Sequence, residues 1–193
     1  MDMSPSFIAG AGKAFPKARI TFDRFHVVKL LNEAMDTVRR LERKEGITLK
    51  GHKYTFLKDW DRLTDKRRLE LVSLMDEYPT LGEAYRLKAL FNDLWQMPNL
   101  PSAEAHFAAW VEEVQRAGIQ LFLQFAKTVK SHWSGIARFI GSHLNNGLLE
   151  GINHKIQLAK RRARGYCKVE NFINMAYFLC GKLDFSFARL VRA

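Results

Sequence analysis

One carboxylate followed by a run of cations is the pattern in this sequence with the clearest chemical potential. Glu150 falls in the first turn of a predicted helix that begins after the turn formers 145–147 and stops at Gly165. Hard cations such as Mg²⁺ prefer carboxylate oxygens, and clustered cations suit phosphates. The cations, with no acid among them, are Lys155, Lys160, Arg161, Arg162, Arg164 and Lys168. The segment therefore predicts a phosphate-binding surface with one acid at its start.

The same segment also has a simpler interpretation. Helical periodicity places one apolar stripe along it, made of Leu149, Ile152, Ile156, Ala159 and Ala163. Glu150 and Arg161 fall on nearly the opposite face. An amphipathic surface helix whose first-turn acid suits the helix dipole would show the same pattern. The uninterrupted positive charge favours phosphate binding.

The whole chain is strongly basic. It has 193 residues, 31 Lys and Arg against 20 Asp and Glu, and a formal net charge of +11. This balance favours nucleic acid over acidic small molecules or membranes as a partner. We find no secretory signal and no apolar run long enough to cross a bilayer, which predicts a cytoplasmic protein. Cys167 and Cys180 lack metal-ligand spacing and are expected to be reduced thiols.

The elements that must position this chemistry begin with a short α–β–α order. Ser4 and Pro5 predict a helix start, with Phe7, Ile8, Ala11 and Phe15 on the buried side. Residues 18–23 predict a β-strand, and a long helix is expected from Phe25 to Glu45, closed by Gly46. A lone strand is not a stable sheet, so we expect its partners upstream of Met1 or in another chain, and expect the sequence to be a fragment.

The remainder is predicted to be mostly helical. Residues 47–130 carry several apolar-periodic stretches, one of which is broken at Gly118. A final helix is expected near Val169, and its predicted core residues are Phe172, Ile173, Ala176, Tyr177, Leu179 and Cys180.

Motifs near both ends of the chain resemble one protein family. Residues 146–166 are similar to the C-terminal catalytic motif of the ISL-three type of bacterial insertion-sequence transposases, in which the glutamate is the last acid of a DDE triad. Residues 2–7, 15–18 and 20–28 are similar to the middle of the same family. The resemblance implies an α/β remnant of an RNase H-like fold, with one or two short strands and a large helical insertion, predominantly α-helical as given. The implied domains are a partial core at 1–46, the insertion at 47–133, and the catalytic-glutamate and basic helices at 134–193.

The resemblance also implies roles for particular residues. Asp2 and Glu150 would be the catalytic acids and would bind Mg²⁺ or Mn²⁺, while Asp23 and His26 would support the site. For Asp23, capping the following helix is the ordinary interpretation. Lys155, Lys160, Arg161, Arg162, Arg164 and Lys168 would bind DNA.

The implied function is DNA transposition by metal-dependent strand cleavage and strand transfer. The implied partner is double-stranded DNA, both transposon ends and target, in the bacterial nucleoid; assembly into a homo-oligomer is compatible with the resemblance, and no membrane is expected. We expect a truncated chain to be inactive alone. One alternative is a catalytically dead remnant that still binds DNA, and another is a purely structural helical module. His132 and Trp133 are predicted to serve packing, although Trp133 could stack on a base.

Overall fold

A computed structural model describes residues 3–43, 49–142 and 147–181. Across these ranges every regular element is helical. The chain divides into a first compact unit, residues 1–144, and a second compact unit, residues 145–193. The α-helices are α1 Pro5–Ala14, α2 Arg24–Glu42, α3 Lys53–Leu57, α4 Asp65–Glu77, α5 Pro79–Asp93, α6 Leu100–Ala117, α7 Gln120–Ser131, α8 Trp133–Ser142, α9 Gly147–Arg162 and α10 Val169–Cys180.

The predominantly helical prediction is confirmed, but the predicted strand at 18–23 is wrong. These residues form an irregular connector between α1 and α2, and its backbone is hydrogen-bonded to α8. The Phe22 amide donates to the Gly135 carbonyl at 3.2 Å, and Arg138 Nη1 donates to the Ile20 carbonyl at 2.6 Å. A Cβ at position 135 would overlap the Phe22 ring, so glycine permits this close approach. Within the described residues no sheet of an RNase H-like core is present.

The core of the first unit is built around α2. Val27, Leu31 and Met35 on this helix are completely buried. Helix α2 packs against both α5 and α7, and α5 and α7 also pack against α6. At that junction Trp110 donates its indole N–H to the Leu87 carbonyl at 2.8 Å, so its polar atom is satisfied inside the core.

Local signals place several helix ends. Helix α1 starts at Pro5 with Ser4 before it, as predicted. Helix α6 is followed by Gly118 in the left-handed region (φ 67°), which confirms the predicted break. Helix α2 runs from Arg24 to Glu42, close to the predicted bounds; Gly46, its predicted stop, lies outside the described residues.

Burial was predicted less well than helicity. Phe7 and Phe15 were expected to face the core but are more than half exposed, while Ile8 packs partly against the core. In α10 the residues predicted as core are not buried, and Ile173 and Tyr177 are exposed. Periodicity identifies an apolar face but not what lies against it.

A buried ion pair lies on α2. Asp36 Oδ1 accepts hydrogen bonds from Arg39 Nη2 at 2.7 Å and Nε at 2.9 Å, and both side chains are less than 10% exposed. Arg40 reaches the other carboxylate oxygen at 3.0 Å. Burial opposes ionisation of Asp36, but the hydrogen bond and charge of Arg39, with Arg40 and Lys53, outweigh it and lower the pKa of this carboxyl.

A second polar network ties the connector after α3 to α5. Lys88 is 2% exposed, and its ammonium donates to the Lys58 carbonyl at 3.1 Å and to Asp59 Oδ1 at 3.3 Å. The Tyr85 hydroxyl donates to the same Lys58 carbonyl at 3.2 Å. Burial lowers the pKa of Lys88, partly opposed by Asp59, and burial together with Asp59 and Asp61 raises the pKa of Tyr85 to about 12. These groups are satisfied internally and hold the first unit together.

Candidate nucleic-acid interface

Helix α9 carries the chemistry predicted from the sequence. It runs from Gly147 to Arg162 and ends with a double hydrogen bond, Gly165 N–H to the Lys160 carbonyl at 3.0 Å and Arg164 N–H to the Arg161 carbonyl at 3.1 Å. Arg164 (φ 54°) and Gly165 (φ 102°) both adopt positive φ, which completes this C-terminal turn. The predicted stop at Gly165 is confirmed. Asn145 and Asn146, the predicted start signals, lie outside the described residues.

All six predicted DNA-binding cations are exposed: Lys155, Lys160, Arg161, Arg162, Arg164 and Lys168. Residues 147–181 contain only two carboxylates, Glu150 and Glu170. No ion pair of the described chain includes any of the six cations. Lys160 has one contact with an aromatic ring, its Nζ lying 5.8 Å from the centre of Phe172. This surface, which we call the α9 basic face, therefore carries an uncompensated positive charge that favours phosphate groups.

The spacing on α9 spreads this charge along the helix. Lys155 and Arg162 are seven residues apart and so share a side of the helix, about 10 Å apart along the axis at 1.5 Å per residue. Arg161 lies eleven residues after Glu150, which again brings both to one side, separated by about 16 Å. A DNA backbone along one side of α9 would meet the Lys155 and Arg162 pair, whereas Arg161 is turned about 100° from Arg162 and would meet a different stretch of backbone.

Apolar grooves flank the α9 basic face where α10 packs against α9. One groove of about 470 Å³ has cations at its edge and an apolar floor; it is lined by Lys155, Leu158, Ala159, Arg162, Ala163, Tyr166, Met175 and Leu179. The other, of about 420 Å³, is lined by Ile156, Phe172, Ile173, Ala176, Tyr177, Cys180 and Gly181. The second unit therefore offers charge and apolar area side by side.

Glu150 is exposed in the first turn of α9, where the helix dipole favours an anion. An exposed carboxylate can supply a ligand to Mg²⁺, which is usually held by one or two carboxylates and water. Asp2, the other predicted ligand, lies outside the described residues. Among the residues the structure describes, no group of three or more His, Cys, Asp or Glu side chains is placed to hold a metal ion. The pairing of Asp2 with Glu150 stays a prediction.

Asp23 and His26 lie in the first unit at the start of α2. Asp23 is 8% exposed, and its Oδ1 accepts the Phe25 amide at 2.9 Å, the N-cap interaction that was its ordinary interpretation. The His26 amide donates to the Asp23 carbonyl at 3.1 Å, and its ring lies edge-on to Phe25 at 5.6 Å. The capping role does not test a supporting role at a metal site, which also stays a prediction.

His132 and Trp133 have the packing contacts predicted for them. The Trp133 ring is stacked on Phe107 with 4.5 Å between centroids and 10° between planes. His132 Nδ1 lies 2.9 Å from the Thr128 carbonyl, and its ring meets the edge of Phe22. With one ring face against Phe107, Trp133 is part of the helix packing.

One basic groove of the first unit has no counterpart in the sequence predictions. It brings Arg19, in the connector before α2, together with Arg138 on α8. Arg138 and the neighbouring Ile20 are separated by 118 positions in the sequence, so no local pattern could have joined them.

The helices of the described chain include none with the length and hydropathy needed to cross a membrane.

Comparisons with known proteins point to one family. The model of the ISL-three family of DDE transposases, described as transposase, matches residues 1–176. The chain is 29% identical over 180 residues to the transposase for insertion sequence element IS1001 of Bordetella parapertussis, covering 89% of this chain and 44% of that one. It is 26% identical over 189 residues to the transposase for IS1557 of Mycobacterium tuberculosis, covering 83% and 42%. The chain thus spans less than half the length of these relatives. No solved structure matches the chain.

Proposed function

The chain belongs to the ISL-three family of DDE transposases, and from this membership we propose that it is the part of a DNA-transposing enzyme that holds the DNA backbone on α9 and supplies Glu150 to strand cleavage and strand transfer. The DNA-binding half of this proposal rests on the α9 basic face, whose six exposed cations have no carboxylate partner in the described chain. In the first unit several cations are neutralised, Arg39 by Asp36 and Arg86 by Glu83 and Glu113, while others, such as Lys66 and Lys127, are exposed without an ion pair among the described residues. Charge left free on a helix surface is available to phosphates.

The catalytic half rests on the family and on the residue type at position 150. When bound, Mg²⁺ or Mn²⁺ ions supply activation of a hydroxyl nucleophile and stabilisation of the leaving oxygen. Glu150 and Asp2 are the side chains we propose to hold them, and Asp23 and His26 are proposed to support that site. The α9 basic face positions the phosphodiester, which is most of what a protein contributes to phosphoryl transfer.

The DNA-binding half is tested by measuring the affinity for a fluorescent 20-base-pair duplex at several salt concentrations. Each phosphate contact contributes about 0.9 to the slope of log affinity against log salt. Replacing Lys160, Arg161 and Arg162 together by Gln is expected to reduce this slope by about 2.7. The matched control replaces three exposed lysines of the first unit, Lys66, Lys127 and Lys130, and is expected to leave the slope nearly unchanged. Equal slopes for the two triple variants would contradict the α9 assignment.

The catalytic half is tested with Glu150→Gln in the longest natural form of the protein. This variant is expected to bind duplex DNA as the wild type does and to lose Mg²⁺-dependent cleavage of transposon ends. Cleavage at the wild-type rate would remove Glu150 from the mechanism.

The same assay tests the second candidate, a DNA-binding transposase remnant without catalysis. Salt-dependent duplex binding by the unmodified 193-residue chain, with no cleavage in Mg²⁺ or Mn²⁺, is the outcome that this candidate predicts. It is also the outcome that we expect for the chain on its own.

A further inference from the structure

The basic groove of the first unit is formed where the connector between α1 and α2 lies across the start of α8. It has a volume of about 410 Å³ and is lined by Ile8, Ala18, Arg19, Ile20, Phe22, Ser131, His132, Ser134 and Arg138. Two hydrogen bonds fix its walls, from the Phe22 amide to the Gly135 carbonyl and from Arg138 to the Ile20 carbonyl. Its size lies within the range of ligand sites, and Arg19, Ser134 and Arg138 on its rim are exposed.

The charge of this groove is one-sided. Its lining contains two arginines and a histidine and no carboxylate. Another polar groove of the first unit, between α5 and the connector after α3, contains Arg24, Arg62 and Lys88 but also Asp59, Asp61 and Asp93, so that its charges balance. An anion is thus favoured in the first groove and not in the second.

One donor of the groove, the Arg138 guanidinium, is anchored before any ligand arrives. It uses one N–H on the Ile20 carbonyl, and its other N–H groups have no hydrogen bond in the described chain. A guanidinium fork matches the oxygens of a phosphate. Arg19 forms no hydrogen bond or ion pair with described residues, so its charge is not neutralised within that part of the chain.

His132 lines the groove, but its donor nitrogen is used within its own helix. Its Nδ1 lies 2.9 Å from the Thr128 carbonyl and 2.9 Å from Ser131 Oγ. Because a carbonyl only accepts, an Nδ1 that faces it is the donor of the neutral ring, and Nε2 is then an acceptor that does not bind an anion. The arginines, and not this ring, supply the donors of the groove. Ser134 stands in the first turn of the ten-residue helix α8, where backbone N–H groups also favour an anion.

We propose that this groove binds a phosphodiester of the DNA backbone, as a second DNA contact in the first unit. The proposal rests on the proposed function for its choice of DNA as the source of the phosphate. Arg19 and Arg138 hold the phosphate oxygens, and the groove is independent of the α9 basic face, which lies in the other unit. In the alternative, purely structural interpretation, Arg138 only connects the segment before α2 to α8. That interpretation predicts no effect of Arg19 on DNA binding.

Arg19→Gln is the decisive variant because it removes a charge without removing a described contact. Its matched control is Lys17→Gln, which makes the same charge change two residues away, on an exposed side chain outside the groove lining. Both variants are made in the wild-type chain and in the chain with Lys160, Arg161 and Arg162 replaced by Gln. Duplex affinity is then measured from about 50 to about 200 mM salt, because phosphate contacts change the affinity strongly over this range.

We expect Arg19→Gln to lower the salt slope by about 0.9 in both backgrounds, equivalent to about a 3.5-fold smaller change in affinity across that salt range. Lys17→Gln is expected to behave as its parent. If Arg19→Gln and Lys17→Gln give the same slope, the groove is not a DNA contact. If the α9 substitutions leave the slope unchanged while Arg19→Gln lowers it, the groove stands and the α9 proposal fails.

A second measurement separates DNA from free phosphate. Amide chemical shifts of Ser134 and Gly135 are followed during titration with a short oligonucleotide and, separately, with inorganic phosphate. Shifts caused by the oligonucleotide at concentrations where inorganic phosphate has no effect support the proposal, and these shifts are lost in Arg19→Gln. Equal responses to the two probes at equal concentration would make this a free-phosphate site and overturn the choice of DNA.

Discussion

The two units of the chain differ in how far their charged and apolar side chains are buried. The first unit buries a core of large apolar side chains, although others such as Phe7 and Phe15 are exposed, and charged groups such as Asp36, Arg39 and Lys88 are buried with partners. In residues 147–181 none of the side chains that the structure describes is buried, and the cations of the α9 basic face have no carboxylate partners there.

This difference separates folding from binding along the chain. Internal pairing satisfies a charge and removes it from the potential that a ligand meets, whereas an exposed unpaired charge remains available to an external anion. The first unit therefore contains the buried and internally paired groups, while its basic groove at Arg19 and Arg138 and exposed lysines such as Lys66 have no ion pair among the described residues. The described residues of the second unit leave both charge and apolar area exposed.

The largest expected effect contrasts an aromatic residue from each unit. Trp110→Ala removes a ring that is 2% exposed, contacts Phe91 at 4.9 Å and donates to the Leu87 carbonyl, so we expect a loss of about 4 kcal/mol in the free energy of unfolding. Tyr177→Ala removes a ring that is 70% exposed on α10, and we expect it to change the free energy of unfolding by less than about 0.5 kcal/mol. Urea unfolding of the full chain measures both. Similar losses for the two variants would erase the contrast between the units.

The next effect concerns the buried ion pair. Asp36→Asn leaves Arg39 buried without an anion, and we expect a loss of about 3 kcal/mol in the free energy of unfolding near pH 7. Because the pKa of Asp36 is lowered in the folded chain, its contribution is present above its ordinary value of 3.8 and is lost as the pH falls through the folded value.

The wild type should therefore lose more stability on acidification than Asp36→Asn does. The control is Asp76→Asn, an exposed carboxylate on α4, whose acid response should match that of the wild type. Unfolding curves at a series of acidic pH values make the comparison. Parallel curves for the wild type and Asp36→Asn would show that the pair is not a stabilising one.

The smallest effect probes the end of α9. Arg164 holds a left-handed conformation that glycine adopts without cost, so Arg164→Gly should stabilise the last turn of α9 by about 1 kcal/mol. Hydrogen exchange of the α9 amides in the full chain detects this as slower exchange, and duplex binding should lose about 0.9 of salt slope because a cation is removed. Gly165→Ala, at φ 102°, should speed exchange and leave the slope unchanged. A slope unaffected by Arg164→Gly would exclude Arg164 from the α9 basic face.

The sequence predicted local features better than packing. Gly118 and Gly165 were expected as helix stops, and both have the positive φ that makes glycine suitable there. The β-branched run at 18–23 was predicted to be a strand, but its Phe22 and Ile20 backbone groups are bonded to α8, a partner more than a hundred positions away. The apolar stripe of α10 was predicted to be core, because periodicity reveals a face and not its neighbour.

Much of the candidate site could also be predicted from the sequence, because its residues lie close together along the chain. Glu150 and five of the six cations lie on α9 and its C-terminal turn, and Lys168 is the N-cap residue of α10 a few positions later, so spacing alone grouped them. The motif around them identified the family that the comparisons confirm. The pairing of Glu150 with Asp2 is a long-range question, and Asp2 lies outside the described residues.

By itself the sequence determined the helical character of the chain, its net charge, its family and the cations on α9, because each depends on residue identity and spacing within a few turns. Only the tertiary structure decided which charges are neutralised, which apolar faces are covered, and that Arg19 and Arg138 share a groove. Those outcomes depend on which distant segments come together, since Gly135 lets the connector approach α8 and no local pattern encodes that contact.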